Sequence, residues 1–299
     1  MSEQRAPLAA KDGVSPNKIW LPHGEWLTIF DYLCWRFPQI KETEWSLRFQ
    51  SNEVVFENGE TISVNSPYQS ERHLYFYHHV PDEVKVPFEE KIVYQNENII
   101  VADKPHFLPV APSGKYLHHT LLIRLRKKLG NDDIQLCHRL DRETAGLVLL
   151  TKKESVRAAY QSLFANRQIL KTYHAIAQSV DLDFPLTKRS KLVRGEPYMR
   201  MKEVDGEANS ESTISILQKS GDLSLYQLMP HTGKKHQLRV HMASLGTPIM
   251  NDRLYPEVRL TKNEAFIDPL KLLAKKLEFV DPLSGLPFSF ESNFKLELK

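Results

Sequence analysis

The hydrophobic pattern splits the chain into an aromatic-rich opening and a longer alternation of strands and helices. Trp26, Ile29, Phe30, Leu33 and Phe37 fall at helical spacing, which predicts an amphipathic helix stopped by Pro38. A second short helix is expected near Thr43. Asn58-Gly59 lies between Val54-Val55-Phe56 and Thr61-Ile62-Ser63-Val64, a hairpin signal. Lys91–Tyr94 and Asn98–Ala102 read as paired strands turning at Asn96-Glu97. Leu121, Leu122, Leu125 and Leu129 share one side of a helix expected over His118–Leu129, with Gly130 as its stop. Leu147-Val148-Leu149-Leu150 is an apolar run of buried-strand type. Val156, Tyr160, Leu163 and Phe164 mark a helix through Ser155–Phe164. Lys171–Ala177 alternates like a half-buried strand, and 213–217 pairs with 224–228 around Gly221-Asp222. Leu277–Phe279 and Pro287–Phe290 read as a closing hairpin with Asp281–Gly285 at its tip.

This pattern suggests a mobile polar tail over residues 1–15, a small domain over 16–80, a linker from Pro81 to Pro87, and a main domain over 85–299. A chain of 299 residues is long enough for one large domain or two. Its 41% hydrophobic and 26% charged residues fit a soluble globular protein. No apolar run approaches the roughly 20 residues that a membrane span needs. Met1–Arg5 lacks the basic-then-apolar order of a signal peptide. The two cysteines, Cys34 and Cys137, stand far apart, so a reducing cytoplasm is expected rather than a disulfide framework.

A net charge of +3 is compatible with nucleic acid without requiring it, so the distribution of charge matters more. Between Lys18 and Tyr77 the acids Glu25, Asp31, Glu42, Glu44, Glu53, Glu57, Glu60 and Glu71 outnumber Lys18, Arg36, Lys41, Arg48 and Arg72. A strong phosphate grip needs the reverse. Arg124, Arg126, Lys127 and Lys128 make either a solvated helix face or a phosphate-contacting strip. Residues 181–210 read as a loop-rich polar segment in which Lys188, Arg189, Lys191, Arg194, Arg200 and Lys202 interleave with Tyr198. That is the best basic-plus-aromatic patch in the chain, and RNA contact is expected there.

The densest chemistry lies in Cys137-His138-Arg139-Leu140-Asp141-Arg142-Glu143-Thr144-Ala145-Gly146-Leu147, a charged run set against the apolar one. Arg139 and Arg142 flank Asp141, and nearby cations favour the ionised form of a carboxylate. This stretch resembles the HRLDxxTSGL signature of the RluA-type family of pseudouridine synthases. Lys171-x-Tyr173-x-Ala175 resembles the family's second motif. His231-Thr232-Gly233-Lys234-Lys235-His236-Gln237-Leu238-Arg239-Val240-His241-Met242-Ala243, followed by Leu245-Gly246-Thr247-Pro248-Ile249, is similar to a third, with Lys234 in place of arginine. Asn251-Asp252-Arg253-Leu254-Tyr255 resembles the "G-D-x-x-Y" that follows. In Lys104–Val110, which resembles a "KPxGxxV" stretch, Phe107 replaces glycine and is expected to force a different turn.

The resemblance covers roughly residues 85–299. It implies an α+β fold, with a mixed, mainly antiparallel sheet crossed by a cleft and flanked by helices. The opening domain looks like the small αL-type RNA-binding domain that often precedes this one. The implied reaction isomerises uridine in ribosomal or transfer RNA. The C1′–N1 bond breaks, the base turns, and C1′ joins C5, without a cofactor or a metal. Asp141 would act at C1′, as nucleophile or by easing proton loss at C2′. Arg239 would pair bidentately with Asp141. Tyr173 would pack on the uracil and help move the C5 proton. Arg139 would fill the space left by the extruded base. Lys188, Arg189, Lys191, Arg194 and Lys234 would contact RNA, and His138 would hold its loop by hydrogen bonding. A monomer is expected, since the cleft must admit a large RNA.

Two other enzyme classes fit poorly. His231, His236 and His241 recur every five residues, off one helical face and without an HExxH acid. No G-x-S-x-G elbow is present. A non-catalytic RNA-binding or RNA-folding protein on the same fold is the remaining alternative, against which Asp141, Tyr173 and Arg239 all stand.

Overall fold

A computed structural model describes residues 6–77, 80, 82–259 and 266–298. The opening part is a three-stranded antiparallel sheet packed on two helices. Its elements are β1 (Asn17–Trp20), α1 (Ile29–Arg36), α2 (Glu42–Gln50), β2 (Val54–Phe56) and β3 (His73–Phe76), with strand order β1-β3-β2. A capping box starts α1, in which Thr28 Oγ1 accepts the Asp31 N–H and Asp31 accepts the Thr28 N–H. Ile29, Leu33, Trp45, Phe49, Phe56, Leu74 and Phe76 close a core of their own.

The turn expected at Asn58-Gly59 forms, with the Phe56 N–H on the Glu60 carbonyl at 3.0 Å, but it does not extend into a paired hairpin. Val54–Phe56 pairs instead with His73–Phe76, and only a single bridge joins Val55 to Thr61. The reason lies in the side chains beyond the turn. Ile62 is buried in the core, and Ser63 and Ser66 bond each other in a second turn. Arg72 then lies over the Phe56 ring and bonds Glu57 and Glu60, which seats β3 beside β2.

The mobile tail expected over residues 1–15 is also corrected, for its described part. Val14 is buried in the main core. The buried guanidinium of Arg126 donates to the carbonyl of Gly13 at 3.0 Å and to Ser15 Oγ at 3.1 Å. The Tyr77 hydroxyl donates to the carbonyl of Ala9 at 2.6 Å. An apolar side chain and a guanidinium in need of acceptors hold this segment down. In the expected linker, whose Pro81 lies outside the described residues, Glu83 accepts the N–H groups of Leu117, His118 and His119.

The main sheet has 11 strands among the described residues. In chain order the elements are β4 (Lys91–Gln95), β5 (Ile99–Lys104), α3 (Leu121–Leu129), β6 (Gln135–Leu136), β7 (Ala145–Thr151), α4 (Glu154–Ala165), β8 (Leu170–Gln178), β9 (Leu186–Arg194) and β10 (Met201–Val204). Then come β11 (Ser210–Ser220), β12 (Leu223–Pro230), α5 (Gln237–Ser244), β13 (Leu272–Val280) and β14 (Pro287–Glu291). The strand order is β10-β9-β11-β12-β8-β13-β7-β5-β4, with β14 beside β13 and β6 beside β7. Every pairing is antiparallel except β13 with β7, so the fold is the mixed, mainly antiparallel α+β class expected.

β5 and β7 read as continuous apolar runs because both their faces are covered. Ile100, Ala102, Val148 and Leu150 meet α3, while Ile99, Val101, Leu147 and Leu149 meet α4. A third cluster, with Ala175, Ala177, Tyr226 and Leu228, receives Leu238 and Met242 of α5. The parallel seam holds only Leu273 opposite Ala145 and Ala274 opposite Gly146. A Cβ on Gly146, at φ +111°, would lie 2.2 Å from the carbonyl oxygen of Ala274, so this crossing admits only glycine. The loop before β7 therefore enters the sheet at its one parallel seam among the described residues.

Three further expectations change. Residues 181–210 are not a loop, since β9 and β10 form a hairpin at the sheet edge, with Met201 opposite Arg194 and Val204 opposite Lys191. Alternating contacts explain it: Ser190 and Leu192 are buried against the body, which leaves their neighbours free to carry charge. The basic face of α3 is neither a solvated strip nor a phosphate strip at Arg124 and Arg126. Arg124 donates to the carbonyls of Phe88 and Val86, and Arg126 to that of Ile134. Phe107 keeps a backbone of the kind a glycine would take, at φ +67°. Its ring is buried beside Phe88 and Phe266, with centroids 6.0 and 5.7 Å away.

Candidate active site

Asp141 stands in the turn that leads into β7, where the Thr144 N–H returns to its carbonyl at 3.1 Å. Two groups, one buried and one half-buried, pin the same turn. Lys104, fully buried at the end of β5, donates to the carbonyls of Pro105, Leu108 and Arg142 at 3.0, 2.9 and 3.1 Å. Those three acceptors match the three hydrogens of an ammonium group, although burial pushes the Lys104 pKa down to about 7. His106 Nδ1 lies 2.7 Å from the carbonyl of Glu143, and burial lowers its pKa to about 4.

His138 behaves as expected. Its Nε2 accepts the Leu149 N–H at 3.0 Å, and its ring stacks on Phe164. Burial pushes its pKa down to about 3, so it is a neutral strut between the loop and β7. Arg142 does not flank Asp141 as the sequence suggested. Its guanidinium turns to Glu143 and to the Tyr116 hydroxyl. Arg139 is exposed.

Arg239, on α5, reaches Asp141 but not in the bidentate manner expected. Its Nη1 lies 3.2 Å from Asp141 Oδ2, while Nε and Nη2 each lie 2.7 Å from an oxygen of Asp252. The fork is spent on Asp252, whose side chain is 1% exposed and which also accepts the N–H groups of Leu254 and Tyr255. Two carboxylates hold the Arg239 pKa above its ordinary value despite burial. One arm of the guanidinium is left for Asp141, whose side chain is 29% exposed.

Tyr173, on β8, packs against the core clusters on both sides of the seam. Burial, and then the charge of Asp141, push its hydroxyl pKa well above the ordinary value, so the phenol stays protonated at neutral pH. A protonated phenol is a poor proton acceptor.

The expected RNA-binding residues divide. Lys188 pairs with Glu203 at 2.8 Å and Arg189 with Glu211 at 3.0 Å, so neighbouring carboxylates offset both. Lys191 and Arg194 follow on β9, with Arg194 exposed, and Lys234 is exposed ahead of α5. Tyr198, 81% exposed, tips the hairpin. His231, His236 and His241 face different partners: Thr213 for the first, Tyr255 and Asp141 for the second, and Ser190, Ser210 and Ser212 for the third. Among the described residues no helix is long and apolar enough to cross a membrane.

Sequence reasoning gave no role to Asp252, Lys104 or Tyr255. Each lay inside a stretch that had been matched, and the signal missed was its company. An acid and a phenol just after the third motif are what a buried arginine on the preceding helix needs.

A family model described as RNA pseudouridylate synthase matches residues 98–244, which hold Asp141, Tyr173 and Arg239. A mitochondrial tRNA pseudouridine(32) synthase of Saccharomyces cerevisiae is 29% identical over 224 residues, covering 72% of this chain and 47% of its own. A ribosomal large subunit pseudouridine synthase C of Vibrio cholerae is 32% identical over 207 residues, covering 66% and 63%. The chain thus spans less than two thirds of the length of either relative. The solved structure of human RNA pseudouridylate synthase domain containing 4 superposes with a TM-score of 0.55 at 27% identity, over 68% of this chain and 88% of that one. The chain belongs to the RluA-type family of RNA pseudouridine synthases, enzymes that isomerise uridine in RNA.

Proposed function

We propose that this protein isomerises uridines in ribosomal or transfer RNA, with Asp141 as the group that acts on the ribose. The observation that carries this reading is one carboxylate with its side chain 29% exposed, held at 3.2 Å by a buried guanidinium in the turn that leads into β7. The target base must leave its stack to arrive there, and Arg139, which is exposed two residues before Asp141, fills the gap in this reading. The Tyr173 ring supports the uracil. Asp141 attacks C1′, or takes the C2′ proton, as the C1′–N1 pair leaves with the base. The base turns and C5 bonds to C1′, which displaces the Asp141 oxygen in the first route and is accompanied by return of the proton from Asp141 to C2′ in the second; the C5 proton is then lost, and N1 gains one. No atom is added overall, and no cofactor is invoked.

The reading extends to the whole chain. Residues 85–299 act as the catalytic domain, and residues 16–80 form a small domain with an acidic balance that does not favour phosphate. Lys191, Arg194 and Lys234 hold the RNA backbone, with Lys188 and Arg189 secondary. We place the protein as a monomer in a reducing compartment, the cytoplasm; the free cysteines Cys34 and Cys137 support the compartment.

The test is tritium release from RNA carrying 5-tritiated uridine, with ribosomal and transfer RNA fractions assayed separately. Release by the wild type and none by Asp141→Ala is the expected result. Equal release by both removes Asp141 from the mechanism. RNA binding without release favours the non-catalytic alternative.

A further inference from the structure

Arg239 occupies only one oxygen of Asp141. The other, Oδ1, faces Nε2 of His236 at 3.6 Å. His236 heads α5 in the left-handed region, at φ +54°, and its side chain is 7% exposed. That conformation strains a residue with a Cβ and is kept only where something holds it. The holder is Tyr255. Its hydroxyl lies 2.8 Å from His236 Nδ1, and it accepts the backbone N–H of Met201, the first residue of β10, also at 2.8 Å.

Hydrogen counting gives this chain a direction. The Tyr255 oxygen takes the Met201 hydrogen and has one of its own to give, and His236 Nδ1 is the acceptor in reach. The ring then carries its hydrogen on Nε2, pointed at Asp141. The opposite tautomer would set an imidazole lone pair against a carboxylate. Burial lowers the His236 pKa to about 4, so the neutral form is the working one. A separation of 3.6 Å is long for a hydrogen bond, as unliganded sites often are, but the N–H dipole still favours one heading of the carboxylate.

The far end of the chain lies in the charged hairpin. Arg200, next to Met201, sits over the Tyr255 ring at 5.1 Å and donates to the carbonyl of Pro256 at 2.6 Å. We propose that His236 is a positioning residue that steers Oδ1 of Asp141, and that Tyr255 holds it in that role by tying it to the β9–β10 hairpin. The hairpin that meets the RNA backbone is thereby joined to the reacting carboxylate through two side chains. This rests on Asp141 being the acting group.

Two readouts test it. In protein labelled with 15N-histidine, the His236 ring shifts report the tautomer without any need for activity. Wild type should show the Nε2–H form at neutral pH, and Tyr255→Phe should mix the two forms. An Nδ1–H form in the wild type overturns the proposal. In single-turnover assays at saturating RNA, Tyr255→Phe and His236→Ala should slow isomerisation about tenfold or more, since small misplacements of a reacting group cost that much. Their RNA affinity should stay within about twofold of wild type, which marks a loss in the chemical step. His236→Gln, which restores an N–H, should recover part of the rate. Loss of affinity in proportion to rate, or no recovery with glutamine, refutes a positioning role. Full activity in Asp141→Ala would defeat the assignment of Asp141, while the tautomer result would stand on its own.

Discussion

Arg239 gives Asp252 two hydrogen bonds of 2.7 Å and gives Asp141 a single one of 3.2 Å. The shorter, drier pair is therefore the structural support, and the longer one holds the more exposed carboxylate. A buried guanidinium satisfied by one carboxylate can aim a second without closing over it. Asp141 keeps its side chain partly exposed because Asp252 absorbs most of the arginine.

Substituting Asp252 should accordingly harm both fold and activity. Breaking a buried ion pair from one side typically costs about 3–5 kcal/mol. For Asp252→Asn, which keeps the shape and loses the charge, the lower end of that range is expected. The freed arm of Arg239 would then compete for Asp141 and cover it. Urea unfolding should show the loss of stability, and tritium release should fall further than the folded fraction explains. If release tracks the folded fraction, Asp252 is a brace for the helix alone.

Phe107 is held at φ +67° by its ring rather than its backbone. Phe107→Gly relieves roughly 1–2 kcal/mol of left-handed strain. It also removes a buried ring, worth roughly 3–5 kcal/mol on truncation. Burial is the larger effect, so the variant should be less stable by about 2 kcal/mol. A rise in the unfolding midpoint would mean that the Phe88 and Phe266 contacts contribute little.

These cases show what was legible in the sequence. Asp141, Tyr173 and Arg239 each stood in a patterned stretch, and the fold brings all three to the β13–β7 seam. The helices and most sheet strands followed from periodicity because their faces are cleanly apolar. What escaped was the partner of each polar group. Nothing in the spacing of Arg124 and Arg126 says that they serve backbone carbonyls 8 to 113 residues away. The basic run 188–202 looked like a loop because alternation was masked by charge on both faces of β9. The hairpin at Asn58-Gly59 failed because register is settled by a third strand, β3, that begins 14 residues later.

The ion pairs on the hairpin sort its cations. Lys188 and Arg189 already have carboxylate partners, whereas Arg194 is exposed at the strand end. Each phosphate contact adds roughly 0.7–0.9 to the slope of log affinity against log salt. Arg194→Ala should lower that slope by about one contact. Lys188→Ala should change it much less, because the neighbouring Glu203 is released at the same time. Filter binding of one RNA between 50 and 200 mM salt, as a rough working range, would show it. Equal slopes for the two variants would place the RNA elsewhere.

Acid should unfold this protein earlier than its surface charge suggests, because several histidines are buried in neutral form. His241 is fully buried among Ser190, Ser210 and Ser212, and burial lowers its pKa to about 4; His236 shares that value. In the unfolded chain both return to an ordinary histidine value near 6.5. Between about pH 6.5 and 4 the unfolded state then binds more protons, so stability falls as pH falls through that window. The loss is about 1.4 kcal/mol per histidine for each pH unit once below the unfolded value. Above pH 7 neither group contributes a slope. Urea titrations at pH 7, 6 and 5 should show this steepening, and His241→Gln should remove one proton's worth of it, even if its stability at pH 7 is lower throughout. A flat profile from pH 7 to 5 would mean that the serines around His241 accommodate the imidazolium, and that the network between α5 and the hairpin is looser than its 3.0–3.1 Å hydrogen bonds imply.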